Sequence, residues 1–189
     1  QNSPHHKYDV ADHTLHALKN IKRDKVLRLT MLFHDMGKPA MKTTDEEGRD
    51  HFKGHALVSE ENARKIMRRL KFDNDTIKTV TRLVCYHDYR IEATPQNVRR
   101  AMNRIGVELF PYYLAVRMAD VKAQSPYKRR AKIENIIEMR RIYREVLQNG
   151  ECVTLRQLAV GGRELMELGM KPGREIGSML SELLEYVID

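Results

Sequence analysis

Apolar residues recur along this chain at steps of three and four, and almost nowhere in the alternation of a half-buried strand. The pattern predicts helix after helix. A first helix covers about Val10 to Asn20, with Leu15 and Leu18 turned inward, and a second runs from about Asp24 to Met36. The polar excursion MKTTDEEGRDHFKG reads as a surface loop. A third helix, about His55 to Leu70, carries Val58, Ala63, Ile66 and Met67. The stretch FDNDTIKTVTRLVCYHD is a fourth, with Asp73 or Asp75 as N-cap. In TPQNVRRAMNRIG, Thr94 caps, Pro95 takes the first helical position and Gly106 stops the helix. Another helix runs from about Glu108 to Ala123 and is broken by Ser125-Pro126. A long basic helix, about Tyr127 to Leu147, precedes Asn149-Gly150. The remainder reads as short helices punctuated by Gly161, Gly162, Gly169, Gly173 and Gly177. The expected fold is all-α: a helical bundle over residues 1–149, then a small helical tail over 150–189.

Some polar residues break this pattern by falling on apolar faces. In LTMLFHDMGKPA, His34 and Asp35 follow an apolar run at the point where a buried helix should end. Gly37 suits the left-handed residue that closes a helix, and Pro39 forbids its continuation. Ile77, Val80, Val84 and His87 step by three, four and three, so His87 continues a buried stripe. Leu109, Tyr113, Val116 and Asp120 step by four, three and four, which turns Asp120 inward. His55 opens its helix near the same end of an antiparallel bundle. A single inward histidine is commonly a satisfied core residue. Several imidazoles with two carboxylates are a different matter, because an unpaired buried carboxylate costs several kcal/mol. Such a set is a ready cage for a hard or borderline divalent cation.

The chain of 189 residues is 41% hydrophobic and 32% charged, an ordinary globular composition with room for one good core. No apolar run approaches the ~20 residues that span a bilayer, and no signal-peptide pattern opens the chain. Cys85 and Cys152 give neither a disulfide framework nor a cysteine-rich zinc site, which fits a reducing, cytoplasmic setting. Cys85 reads as plain core, and His5, His6, His16 and His51 as surface residues. A formal net charge of +8 favours polyanionic partners such as nucleic acid, or anionic substrates, over a merely solvated basic surface.

The order His13, His34-Asp35, Asp120 resembles the metal signature of the HD superfamily of phosphohydrolases. His55 and His87 fall where its two-metal members place further histidines, and HDMGK is similar to the form found in cyclic-dinucleotide phosphodiesterases and RNA-processing HD domains. More widely, PHHKYDVADHTLHAL, RLTMLFHDMGKP, HFKGHALVSEENA and LAVGGRELMELGMKPGREIGSMLSELLEYVI resemble the C-terminal half of bacterial CCA-adding tRNA nucleotidyltransferases and their poly(A) polymerase relatives. Those enzymes carry a head with a Gly-Ser loop and an Asp-x-Asp metal pair. Asp73 to Asp75 has no such loop before it and reads better as a helix cap, so nucleotide addition is not expected of this chain alone. QNSPHHKYDV begins like an internal linker, which suggests an excised HD-plus-tail portion or a free-standing relative.

The resemblance implies one or two divalent ions (Mg, Mn, Ni, Fe or Zn). His13, His34, Asp35 and Asp120 would hold the first, and Asp35 would bridge to a second held by His55 and His87. The reaction implied is hydrolysis of a phosphoester, as a 2′,3′-cyclic phosphodiesterase or phosphatase, with Asp35 and Lys38 as catalytic residues. Lys38 is either a phosphate ligand or a lysine well placed at a helix C-terminus. Arg64, Arg68 and Arg90 are candidates for an anion-binding rim.

RNA, tRNA above all, is the expected macromolecular partner. Lys128, Arg129, Arg130, Lys132, Arg140, Arg141 and Arg144 against Glu134 and Glu138 leave a local surplus of five positive charges. Ile133, Ile136, Ile137 and Tyr143 give that helix an apolar docking face. Its outer face either tracks a phosphate backbone or is an exposed helix laced by intrahelical ion pairs. GMKPGREIG offers backbone N–H groups and Arg174 to a phosphate, or uses Gly177 for close helix packing. Two other readings stay open: an RNA-binding body with an idle metal site, and a free-standing HD nucleotidase.

Overall fold

A computed structural model describes residues 9–189; the expectations for His5 and His6 fall outside the described residues. Helices dominate: α1 (Val10–Lys19), α2 (Lys25–Phe33), α3 (His55–Arg69), α4 (Asn74–Tyr86), α5 (Pro95–Ile105), α6 (Phe110–Ala123), α7 (Arg129–Gln148), α8 (Gly162–Glu167) and α9 (Arg174–Ile188). The expected caps at Asp73 and Thr94 are made, and the structure adds Asp9 and Asp24 as caps of α1 and α2. Asp9, Asp24, Asp73 and Thr94 accept from the backbone N–H three residues on, at 2.8, 2.9, 2.7 and 3.3 Å. Within the expected surface loop, β1 (Thr43–Thr44) pairs antiparallel with β2 (Asp50–His51), Thr43 opposite His51 and Thr44 opposite Asp50.

The chain divides into two compact units. The first comprises the described residues up to Arg90 together with Glu108–Ile137, and the second Ile91–Val107 with Glu138–Asp189. Helix α5 belongs with the tail because its arginines bind the chain's end: Arg99 donates to the Ile188 carbonyl at 2.8 and 3.1 Å and pairs with Glu151, while Arg100 pairs with Glu185 and Asp189.

In the first unit α2 lies between two apolar clusters. Leu27 and Met31 pack with Ala17 of α1 and with Val116, Ala119 and Ala123 of α6. Phe33 packs with Ala63 and Met67 of α3 and with Ile77, Val80 and Val84 of α4. A helix buried on two sides cannot fray at its end without opening both clusters, so the residues that follow Phe33 are held firmly.

Several local expectations are corrected. Leu15 is 57% exposed, and the buried side of α1 is made by His13 and Ala17. Ile137 is 55% exposed, and the buried stripe of α7 is Ile136, Met139, Ile142 and Val146. Helix α2 stops at Phe33, three residues short of the expected Met36. The tail holds a 3-10 turn at Leu155–Gln157, one short helix, α8, and one of 15 residues, α9, which runs through Gly177. A Cβ on Gly177 would meet nothing within 4 Å, so it serves no close helix packing among the described residues. Cys85 is only partly buried.

Candidate metal centre

Five segments of the first unit deliver six polar side chains to one place. His13 comes from α1, His34 caps the C-terminus of α2 with Asp35 next to it, His55 opens α3, His87 caps the C-terminus of α4, and Asp120 lies in the last turn of α6. All six are buried. Gly37 permits the convergence, for a reason other than the expected left-handed backbone: it is absent from the positive-φ glycines. A Cβ there would lie 2.4 Å from the His55 carbonyl oxygen and 2.8 Å from the Ser59 nitrogen, so only glycine lets this turn lie against the start of α3. The Gly37 N–H donates to Ser59 Oγ at 2.9 Å and seals the contact.

Hydrogen bonds orient three of the imidazoles. His34 Nδ1 donates to the Met31 carbonyl at 2.7 Å, His55 Nδ1 to Phe52 at 2.8 Å, and His87 Nδ1 to Val84 at 2.7 Å. A carbonyl oxygen only accepts, so each Nδ1 carries a hydrogen and each neutral ring turns an Nε2 lone pair inward. His55 Nε2 and His87 Nε2 then face each other at 3.1 Å, and both face Asp35 Oδ1, at 3.3 and 3.5 Å. Three acceptors crowd one point. Only a cation, a proton or a metal ion, makes that arrangement favourable.

A second group forms on the other oxygen of Asp35. Asp35 Oδ2 lies 3.3 Å from His34 Nε2 and 3.6 Å from His13 Nε2, which are 3.3 Å apart. Asp120 Oδ1 borders them at 3.0 Å from His13 and 4.0 Å from His34. An ion about 2.0–2.2 Å from each of two such ligands would hold them roughly 3.0–3.5 Å apart. Most of the observed spacings fall in or near this range, the 4.0 Å from Asp120 to His34 being longer, and two groups that share Asp35, one with His13 and His34 and one with His55 and His87, could each hold a divalent ion.

The electrostatics follow from burial and these neighbours. Burial drives the His34 pKa down to about 4, outweighing the pull of Asp35. Burial alone would raise Asp35, but His34, then His55 and His87 once a proton sits on their Nε2 atoms, then Lys38 hold it well below the usual carboxylate range. Asp120 is likewise lowered against its burial by His13, His34 and Arg117. His87 is raised, because Asp35 prevails over desolvation. The carboxylates are thus anionic within a buried site.

Lys38 is itself buried, with Nζ 2.7 Å from Asp35 Oδ2. It lines a cavity of about 430 Å³ that opens onto Asp35, His55, His87 and Asp120. The wall also holds His51, Phe52, Lys53, Asp88, Arg90 and Gln124. Of the expected anion-binding rim only Arg90 lies here, paired with Asp88; Arg64 pairs with Glu60 and lines a separate hollow with Cys85, whose thiol burial pushes up to about 11. His51 is a surface residue, as expected, and the hairpin also sets it at the cavity wall. Arg117 was not legible as a site residue: it donates to the His87 carbonyl at 3.2 Å and lies 3.5 Å from Asp120 Oδ2. Its only sequence signal is its position three residues before a buried aspartate.

The expected RNA contacts are dispersed. Lys128, Arg130, Arg140, Arg141, Arg144 and Arg174 are exposed. Arg130 pairs with Glu134, and Arg141 with Glu138 and Glu145. Arg129 and Lys132 are partly buried and turned toward Gln124. Arg140 and Arg144, four residues apart, share one outer side of α7 in the second unit. No helix of the described residues is long and apolar enough to cross a membrane.

Residues 51–189 match the family described as tRNA nucleotidyltransferase domain 2. The chain is 30% identical over 188 residues to the A-adding tRNA nucleotidyltransferase of Deinococcus radiodurans, covering 95% of this chain and 43% of that protein. It is 32% identical over 186 residues to the CC-adding tRNA nucleotidyltransferase of Thermus thermophilus, covering 95% of this chain and 41% of that protein. The chain thus spans less than half the length of the curated relatives it matches. Matched over most of its length, through both helical units, this chain belongs to the tRNA nucleotidyltransferase domain 2 family.

Proposed function

We propose that this chain is the HD-type part of a tRNA nucleotidyltransferase-like protein and that it hydrolyses phosphoesters at a two-metal site. His13, His34, Asp35 and Asp120 hold one ion; Asp35, His55 and His87 hold the other. Divalent ions bound there supply Lewis acidity toward phosphoryl oxygens and a water acidified to near neutral pH. The side chains do the rest. Asp35 offers one oxygen to each half of the site, and the Nδ1 bonds of His34, His55 and His87 keep their lone pairs aimed inward. Lys38 brings ammonium donors to a phosphate oxygen entering the cavity, and Arg90 adds charge at its wall. The substrate class that suits this chemistry is a terminal or 2′,3′-cyclic phosphate of RNA or a nucleotide.

One observation carries the reading: Asp35 Oδ1, His55 Nε2 and His87 Nε2, all acceptors, face one another within 3.1–3.5 Å. The test is hydrolysis of an aryl phosphodiester by purified protein with Mn, Ni or Mg. Turnover that is lost in His34→Ala supports the proposal, and equal rates in the two proteins remove it. A second reading, an RNA-binding body with an idle metal site, draws support from the Lys38–Asp35 pair, which neutralises that carboxylate from within the chain. It requires tRNA affinity without hydrolysis. The names of the relatives make tRNA the partner to try first.

A further inference from the structure

The basic helix α7 sends one of its charges inward. Lys132 Nζ donates to Gln124 Oε1 at 2.7 Å, and Gln124 Nε2 donates to Asp120 Oδ2 at 2.9 Å. Gln124 is 9% exposed and Asp120 5%. An ammonium has no acceptor, so Lys132 can meet only the amide oxygen of Gln124. That leaves the amide N–H to face the carboxylate, and both ends of Gln124 are spoken for in one orientation. Arg129 donates to the Gln124 backbone carbonyl and fixes the same residue from behind. With Oδ2 engaged by Gln124 and approached by Arg117, Asp120 turns Oδ1 toward His13 and His34.

We infer that Gln124 and Lys132 are positioning residues for the ion held by His13, His34, Asp35 and Asp120. They fix Asp120 as a ligand through a single oxygen. The inference rests on the two-ion reading above. It also reassigns Lys132 from the expected RNA surface to the support of the metal site. Partners that orient a ligand in this way are worth about 10–100-fold in metal affinity. The other ion, between Asp35, His55 and His87, has no contact with this relay and serves as an internal reference.

Calorimetric titration of the chelator-stripped full chain with Mn²⁺ tests it. The wild type takes up two ions; Lys132→Met weakens one of the two binding events about 10-fold and leaves the other in place, and Lys132→Arg recovers part of the loss. Gln124→Met, which keeps the side chain's length without its amide, does the same if Lys132→Met melts out. Both events unchanged in Lys132→Met and Gln124→Met, with melting temperatures like the wild type, overturn the inference while leaving the two-ion site intact. Absence of any ion uptake by the wild type removes the two-ion reading, and this inference with it.

Discussion

Gly37→Ala is a demanding trial of how the site is assembled. The added Cβ would stand 2.4 Å from the His55 carbonyl oxygen, 2.8 Å from the Ser59 nitrogen and 2.9 Å from Val58 Cβ. Carbon–oxygen contacts close at about 3.3–3.6 Å, so the overlap is roughly 1 Å. Two of the three obstructing atoms are backbone, and they belong to the first turns of α3, which carries His55 and packs against α4. No side chain can swing away to relieve the clash. Relief requires separating the turn from α3, which also weakens the Gly37 to Ser59 hydrogen bond. Overpacking of this kind costs typically 1–3 kcal/mol, and a lost buried bond about 1 more. A destabilisation of about 3 kcal/mol is expected, or roughly 6–12 °C in melting temperature for a chain of this size. Gly177→Ala is the control: its Cβ meets nothing, so it should be neutral or stabilise α9 by up to about 1 kcal/mol. Urea unfolding followed by circular dichroism measures both. A Gly37→Ala protein within 0.5 kcal/mol of the wild type refutes the close-approach account.

Lys38→Met should keep ion binding and reduce phosphodiester turnover by 10-fold or more, which parallel calorimetry and rate measurements would separate. Acid should destabilise the metal-free protein: His34 is held at about 4 against 6.5 when unfolded, so its contribution is full above pH 6.5 and lost as pH falls toward 4. That difference amounts to about 3 kcal/mol, opposed by His87, whose raised pKa favours the folded state on the acid side. Urea midpoints in chelator at pH 7 and pH 4.5 give the net sign. For RNA, Arg140→Ala with Arg144→Ala should weaken tRNA binding in low salt and flatten its salt dependence by about two phosphate contacts, read from a filter-binding salt series.

The helices were legible because their signals are local. An Asp or Thr three residues before a free N–H, a proline at the first helical position and a stripe at three and four each need only neighbouring residues. The six converging polar groups were legible for a related reason, since His87 and Asp120 sit on stripes that burial had to claim. Gly37 was misread because a close approach between α3 and the turn after α2 leaves no trace in local sequence, whereas a helix-closing glycine has a familiar pattern. Helix α9 was cut too short because Gly177 costs only about 1 kcal/mol in a helix that packing can repay. Gln124 and Lys132 escaped notice because an amide bridging two helices has no periodicity, and Lys132 was absorbed into a run of charges. Placement of His51, Phe52 and Lys53 in the cavity wall depended on a two-residue hairpin inside a stretch that reads as loop.

Metal content of the protein purified without chelator bears most directly on all of this. The account predicts about two divalent ions per chain, dropping to about one when His55 and His87 are both replaced by Ala. A wild-type protein that is folded by circular dichroism yet carries no ion, and takes none up from excess Mn²⁺, would contradict it.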